Sequence, residues 1–288
     1  DLIEVVKLAG RECLFYKAPI ATVALIRGTT ADEDGNVSME QEATTLETLS
    51  IAQAVHNAGG TVICQVKRLA QRGSLHPQMV RVPGFLIDAF VIDENQWQNY
   101  AEPYDPSLCG EIRRPMATLQ AAELDMRRVI ARRAAFELTP GAVFNLGVGV
   151  SAGISNVIAE ENMENLVTST IESGVIGGIP GERLYFGSAY NPQAIIDQPY
   201  MFDFYSGGGL DVAFVSFAEV DTEGNVNVTR FGNRNDGAGG FIEITQTAKR
   251  IVFSGTLTGG GLQITINKGQ IKIDQEGSIQ KFVPVVNQ

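Results

Sequence analysis

Two stretches of this chain repeat each other at a constant offset of 189 residues. Val23-Ala24 falls on Val212-Ala213, Asp32 on Asp221, and Gly35-Asn36-Val37 on Gly224-Asn225-Val226. The later pair Val62-Ile63 falls on Ile251-Val252 with no gap between. Strand, turn, helix and strand recur in one order, and self-similarity on this scale means duplicated lobes rather than a solenoid. The chain is therefore expected to hold two similar open α/β lobes, residues 1–116 and residues 117–288. The Pro- and Tyr-rich stretch 99–116 is the expected crossing between them. The repeat also predicts an absence. About 90 residues of the second lobe precede its turn, whereas 31 residues precede Asp32. Counterparts of that upstream material would lie before residue 1. The first lobe is thus expected to be incomplete and the chain to be a piece of a longer protein.

Along the chain, residues 4–16 read as strand punctuated by Gly10, and Val23 to Ile26 as a short buried strand. Glu42 to Asn57 carries Leu46, Leu49, Ile51, Ala52 and Val55 near helical spacing and stops at Gly59-Gly60. Strands follow at Thr61 to Val66 and, after the turn Val82-Pro83-Gly84, at Phe85 to Ile92. Leu119 to Leu138 is helical, and Pro140-Gly141 ends it. Ala142 to Leu146 is a strand, Ile154 to Glu160 a helix, and Leu166 to Ile171 a further strand. Phe186 to Gly209 is apolar and aromatic, closing on three glycines before the buried strand Val212 to Phe217. A short helix starts at Phe241, a strand runs from Ile251 to Phe253, and hairpins built around Lys268-Gly269 and Gly277 finish the chain.

Composition excludes several classes. A net charge of -11 argues against a general surface for nucleic acid or anionic membrane. No apolar run reaches the roughly 18 residues of a transmembrane helix. Cys13, Cys64 and Cys109 are too scattered for a disulfide framework or a zinc site, so a cytoplasmic setting is expected. With two histidines and no ligand cluster, no metal is expected.

Two glycine-flanked stretches carry the candidate chemistry. In Ile171-Glu172-Ser173-Gly174-Val175-Ile176-Gly177-Gly178, a carboxylate follows a β-branched run and meets glycines at once. That reads as a strand delivering Glu172 to its end, beside a loop whose backbone can approach a ligand closely. An exposed turn glutamate fits the same spacing. Upstream, the strand ending at Leu146 runs into Gly147-Val148-Gly149 and then a helix, a geometry suited to an anion or carboxylate. The nucleotide-binding GxGxxG spacing is not met. Asp211 and Glu219, on the strand after the triple glycine, read as packing or hydrogen-bonding residues.

Taken together, NLGVGVSAGI (145–154), TIESGVIGGIPG (170–181) and FDFYSGGGLDVAFVSFAEVDTEGNVNV (202–228) resemble the family I coenzyme A transferases, most closely the acetate/propionate branch. GAGGFIEITQ (237–246) and IVFSGTLTGGGL (251–262) extend the resemblance, as do ECLFYKAPI, VALIRGTTADEDGN and the Val82-Pro83-Gly84 turn in the first lobe. It implies that Glu172 is a nucleophile, forming a glutamyl-acyl anhydride and then a glutamyl-CoA thioester in ping-pong order. It implies acyl-CoA and short-chain acids as substrates, no prosthetic group, and a homo-oligomer. Gly177-Gly178 and Gly239-Gly240 are the expected oxyanion donors, with Gly147 and Gly149 shaping the pocket for the small acid. A water-resolved acyl-CoA hydrolase and a non-catalytic binding or assembly module are the alternatives.

Overall fold

The computed structural model describes residues 2–115 and 124–286. The chain divides into two compact units, Asp1–Glu42 with Glu47–Gln96, and Ala43–Leu46 with Trp97–Gln288. The division expected at residues 116 and 117, and the helical reading of 119–123, lie outside the described residues.

In the first unit, β1 (Ile3–Leu8) and β2 (Arg11–Tyr16) form an antiparallel hairpin around Ala9-Gly10. Then come β3 (Val23–Arg27), β4 (Thr30–Asp32), β5 (Val37–Ser38), α1 (Thr48–Asn57), β6 (Thr61–Val66), β7 (Arg68–Ala70), β8 (Val80–Val82) and β9 (Ala89–Ile92). The central β6 pairs in parallel with β3 and β9, and α1 covers the sheet through Ala52 and Val55. Three expectations need correction, one being the strand expected from Phe85, which starts at Ala89 after a 3-10 turn at Gly84–Leu86. Val23 to Ile26 is buried on one face only: Val23 and Leu25 are 55% and 78% exposed. The helix expected from Glu42 begins only at Thr48. Its first residues are drawn elsewhere, because the buried Glu42 carboxylate accepts from Arg27 Nη2 at 2.6 Å and Gln96 Nε2 at 3.0 Å. Leu46, at φ 50°, then breaks the helical path.

The second unit opens with α2 (Met126–Ala135), capped by the Asp125 carboxylate accepting from the Arg128 N–H. It continues with β10 (Val143–Leu146), α3 (Ile154–Glu160), β11 (Thr168–Thr170), β12 (Val175–Ile176), β13 (Ile179–Pro180), β14 (Ala189–Tyr190) and β15 (Ala194–Ile195). Next are α4 (Gln198–Ser206), β16 (Val212–Val215), β17 (Glu219–Val220), β18 (Val226–Asn227), β19 (Arg230–Phe231), β20 (Arg234–Asn235), α5 (Phe241–Gln246) and β21 (Ile251–Phe253). A six-stranded sheet runs in the order β15-β12-β11-β10-β16-β21, parallel from β11 to β21. Its strand β16, Val-Ala-Phe-Val, is buried throughout and reads as a continuous apolar run, as covered parallel strands do. Ala131, Ala134, Ile154, Val157 and Ile158 pack one helical layer against Phe144, Val212 and Phe214. Met201, Tyr205 and Ile244 pack the other layer against Ala213 and Val215.

The repeat holds at the level of single hydrogen bonds. Ala24 pairs with Val62 in the first unit, and Ala213 with Ile251 at the same offset in the second. Asp32 Oδ1 accepts from the N–H groups of Asp34 and Asn36 at 3.0 and 2.9 Å. Asp221 Oδ1 accepts from Glu223 and Asn225, both at 3.0 Å. Burial raises the Asp32 carboxyl, but the bonds from Asn36 and Asp34 outweigh it and hold the group below its ordinary range. Asp32→Ala is expected to cost about 1–3 kcal/mol at neutral pH by orphaning buried donors. Because the folded-state value is lowered, that stabilisation is present above the unfolded aspartate range and is lost as pH falls through the folded value. Denaturant titrations of both proteins at pH 7 and pH 3 measure the gap, which should narrow in acid.

Candidate active site

Strand β10 is where the sheet's connectivity reverses. It pairs in parallel with β11 on one edge, Asn145 beside Thr170, and with β16 on the other, Asn145 beside Ala213. Open α/β sheets bind ligands at such a switch point, outside the carboxyl ends of the strands. Three chain segments leave the sheet there: Gly147–Gly149 from β10, Glu172 after β11 and Ser216 after β16.

The glycine loop after β10 lies tight against β16. Gly147 N–H donates to Phe214 O at 2.7 Å. A Cβ on Gly149, whose φ is 101°, would stand 3.0 Å from Ser216 Oγ. Ser216 Oγ is in turn 3.4 Å from Ser151 Oγ. Both glycines allow this close approach.

Glu172 sits in the turn that reverses β11 into β12. Ile171 N–H bonds Val175 O, Gly174 N–H bonds Ile171 O, and Ile196 N–H bonds Gly174 O, each at 2.9 Å. Ser173 Oγ donates to Gly187 O and anchors the turn on its other side. Gly174, at φ 99°, backs directly onto the Ile196 carbonyl, where a Cβ would overlap it. Gly177 and Gly178, both at φ 71°, bend the chain out of β12. The N–H of Gly177 is committed to Ser169 O at 2.7 Å, and Gly178 backs onto the Tyr190 and Asn191 carbonyls.

The Glu172 side chain is half-buried and, among the described residues, its carboxylate has no hydrogen-bond or ion-pair partner. Gly240 closes over it: a Cβ there would lie 2.5 Å from Glu172 Oε2 and 2.9 Å from Phe202 Cζ. A side chain at this position would displace the Glu172 carboxylate or the Phe202 ring. Burial pushes the Glu172 carboxyl above its ordinary range, and the negative charge of Glu243 pushes it further. Glu243 lies on α5 one helical turn beyond Gly240, so it rises from the same face. Among the described residues the N–H groups of Gly239 and Gly240 donate to nothing. Of the glycines singled out in the sequence, Gly240 thus touches Glu172 and Gly147 and Gly149 line the neighbouring strand end, while Gly177, expected as an oxyanion donor, has its N–H committed to Ser169 O and with Gly178 bends the chain after β12.

Beneath the glutamate runs a buried polar chain. Asn145 Nδ2 donates to Tyr205 OH at 3.0 Å and to Thr170 O at 3.2 Å. Tyr205 OH donates to Thr170 Oγ1 at 3.0 Å, and Thr170 Oγ1 donates to Phe144 O at 2.8 Å. Asn145, Thr170, Tyr205 and Glu243 lie inside the quoted motifs but have no role assigned there, although an Asn in an otherwise apolar strand is a visible signal. Asp211 accepts from Val143 N–H at 2.9 Å and pairs with Lys249 at 2.8 Å, a structural tie between β10 and β16. Among the described residues, no three His, Cys, Asp or Glu side chains converge on a point that could hold a metal, and no helix is long and apolar enough to cross a membrane.

Comparison with known proteins gives a consistent set of relatives. A family model described as coenzyme A transferase matches residues 2–93. The acetate CoA-transferase YdiF of Escherichia coli K12 is 45% identical over 284 residues, covering 98% of this chain and 54% of its own. The caffeate CoA-transferase of Acetobacterium woodii is 42% identical over 296 residues, covering 100% of this chain and 56% of its own. Among solved structures, the acyl-CoA transferase YdiF of E. coli O157:H7, in a thioester complex with CoA, superposes with a TM-score of 0.89. It is 43% identical and covers 99% of this chain and 53% of that one. The likeness bears out the α/β fold expected from the sequence. This chain spans about half the length of the curated relatives it matches.

Two substitutions test the geometry. Gly174→Ala forces a left-handed conformation on a side-chain-bearing residue and drives its methyl into a backbone carbonyl. It should cost about 2–4 kcal/mol, read as a lower unfolding midpoint. Glu172→Gln should raise the unfolding midpoint at neutral pH. A carboxyl whose folded-state value is raised weakens the fold once pH climbs through that value, and the amide removes this penalty. The two proteins should converge below the ordinary glutamate range.

Proposed function

Because this chain belongs to the coenzyme A transferase family, we propose that the protein moves CoA between short-chain carboxylic acids of the acetate and propionate type, with Glu172 as the nucleophile. The observation that carries this reading is an unpaired, half-buried carboxylate at a strand end, pressed against the backbone of Gly240. A carboxylate kept for structure would be paired. One left without partners in partial burial is more basic than a free glutamate and is held ready to attack.

The steps follow from that position. A Glu172 oxygen adds to the thioester carbonyl carbon of acyl-CoA, the carbon–sulfur bond breaks, and CoA thiolate leaves a glutamyl-acyl anhydride. The thiolate then adds to Cδ of Glu172, the anhydride carbon–oxygen bond breaks, and the first acid departs as its carboxylate. The enzyme now carries a glutamyl-CoA thioester. An incoming carboxylate reverses both steps and leaves as the new acyl-CoA. Each addition develops an oxyanion near Glu172 Cδ or the acyl carbon. We assign the uncommitted N–H groups of Gly239 and Gly240 as the donors that meet it. Gly147 and Gly149 bound the space for a small acid, while Gly177 and Gly178 give the turn its path. The thioester complex with CoA reported for the E. coli relative supports the second intermediate, and that relative's name supports acetate as a substrate. The same reading sets the enzyme in the cytoplasm as a homo-oligomer that needs no prosthetic group.

Borohydride tests the intermediate. Incubation of the intact protein with acyl-CoA and borohydride should reduce the glutamyl thioester to an alcohol on the peptide holding Glu172. Label elsewhere, or full activity in Glu172→Ala, would overturn the assignment. Exchange of labelled CoA into acetate without net release of acid identifies transfer; net release identifies hydrolysis. Because Glu172 must be ionised to attack, activity should fail on the acid side above the ordinary glutamate range. Glu243→Gln should move that limb to lower pH, although not all the way, since burial is the larger cause.

A further inference from the structure

The buried chain Asn145–Tyr205–Thr170 has no part in the steps above, yet it ends two residues before Glu172. All three residues are enclosed: Asn145 and Tyr205 are 0% exposed and Thr170 is 2% exposed. Their neighbours Phe144, Met201, Leu210 and Ala213 are apolar. Apolar side chains could pin these elements together without removing an amide and two hydroxyls from water. The network is also not self-sufficient, because Asn145 Oδ1 is buried with no partner among the described residues. Polar groups held in an apolar setting at a cost to stability are characteristic of sites that must keep one geometry.

What the network joins is specific. Asn145 lies on β10 and Thr170 is its register partner on β11. Tyr205 is the last tyrosine of α4, whose Phe202 packs on its ring edge-to-face at 5.8 Å. Phe202 also lies beside Gly240 and therefore beside the glutamate. The hydroxyl of Tyr205 thus ties the end of β11 to the helix that walls one side of Glu172. Asn145 ties the same strand end to β10, from which the glycine loop departs. Each bond constrains a different direction of movement. Burial and the nearby Glu172 charge keep the Tyr205 phenol protonated, so it remains the donor to Thr170.

We propose that Asn145, Tyr205 and Thr170 are positioning residues that hold the β11 end, and with it the Glu172 carboxylate, at the place from which it attacks. This rests on the reading of Glu172 as the nucleophile. The measurement is the rate at which acyl-CoA and borohydride label Glu172 in the intact protein. Tyr205→Phe and Thr170→Val keep the shape of each side chain and remove its hydroxyl. Both should label at Glu172 about 10- to 100-fold more slowly, the scale of a misplaced reacting group. The KM for acyl-CoA should stay within about twofold, since substrate contacts are untouched. Thr170→Ser keeps the hydroxyl and should restore most of the rate. The double variant Asn145→Leu with Tyr205→Phe should melt no lower than the unsubstituted protein, yet label slowly. Undiminished labelling in Tyr205→Phe and Thr170→Val would overturn this inference alone. So would a loss of rate no larger than the fraction of protein unfolded. No label at Glu172 in the unsubstituted protein would overturn the nucleophile assignment and this inference with it.

Discussion

Strand β10 accepts a parallel neighbour on each edge, and the second unit depends on that double pairing. Asn145 is level with Thr170 on one side and with Ala213 on the other. The three strands therefore end within two residues of one another in register, and the segments leaving them gather at that edge of the sheet. The apolar faces of Phe144, Val212 and Phe214 bury the sheet beneath the helices and keep those ends from shifting. Chemistry can then be placed on loops while precision comes from the sheet.

Around Glu172 two requirements oppose each other. As the proposed nucleophile, the carboxylate must be close to backbone donors and sheltered from water, and it must also remain charged. Burial and Glu243 both favour the neutral form, while among the described residues no cation offsets them. Gly240 meets the first requirement in part by bringing backbone close to the carboxylate without a side chain. The second is left unresolved in the free protein, which on the reading proposed above favours attack by the carboxylate.

Much of this was legible in the sequence because local chemistry and global fold agree. The repeat rests on an aspartate that accepts from two backbone N–H groups and a glycine two residues ahead of a strand, and such a turn forms wherever it is written. The register of Ala24 with Val62 and of Ala213 with Ile251 follows from equal lengths of intervening chain. The start of α1 was not legible, because the spacing of Leu46 and Leu49 looks helical while Arg27 and Gln96 capture Glu42 from far along the chain. Helix α4 was read only as an aromatic stretch, although Pro199 near its start and Gly207 after its end mark it. The network beneath Glu172 joins residues 60 and 25 positions apart. No periodicity encodes such a contact.

The Glu172 turn and the bend after β12 contain Gly174, Gly177 and Gly178, all in left-handed backbone and each with a neighbour that crowds the missing side chain. For a population of drifting sequences, such a segment offers almost no neutral steps. Substitutions can accumulate along the exposed hairpin of β1 and β2 with little penalty, but here a single added methyl group disturbs both backbone and packing. On the reading proposed above, divergence toward new acids is expected in side chains on the β10 and β16 ends. The arc that carries the glutamate would pass through that divergence nearly unaltered.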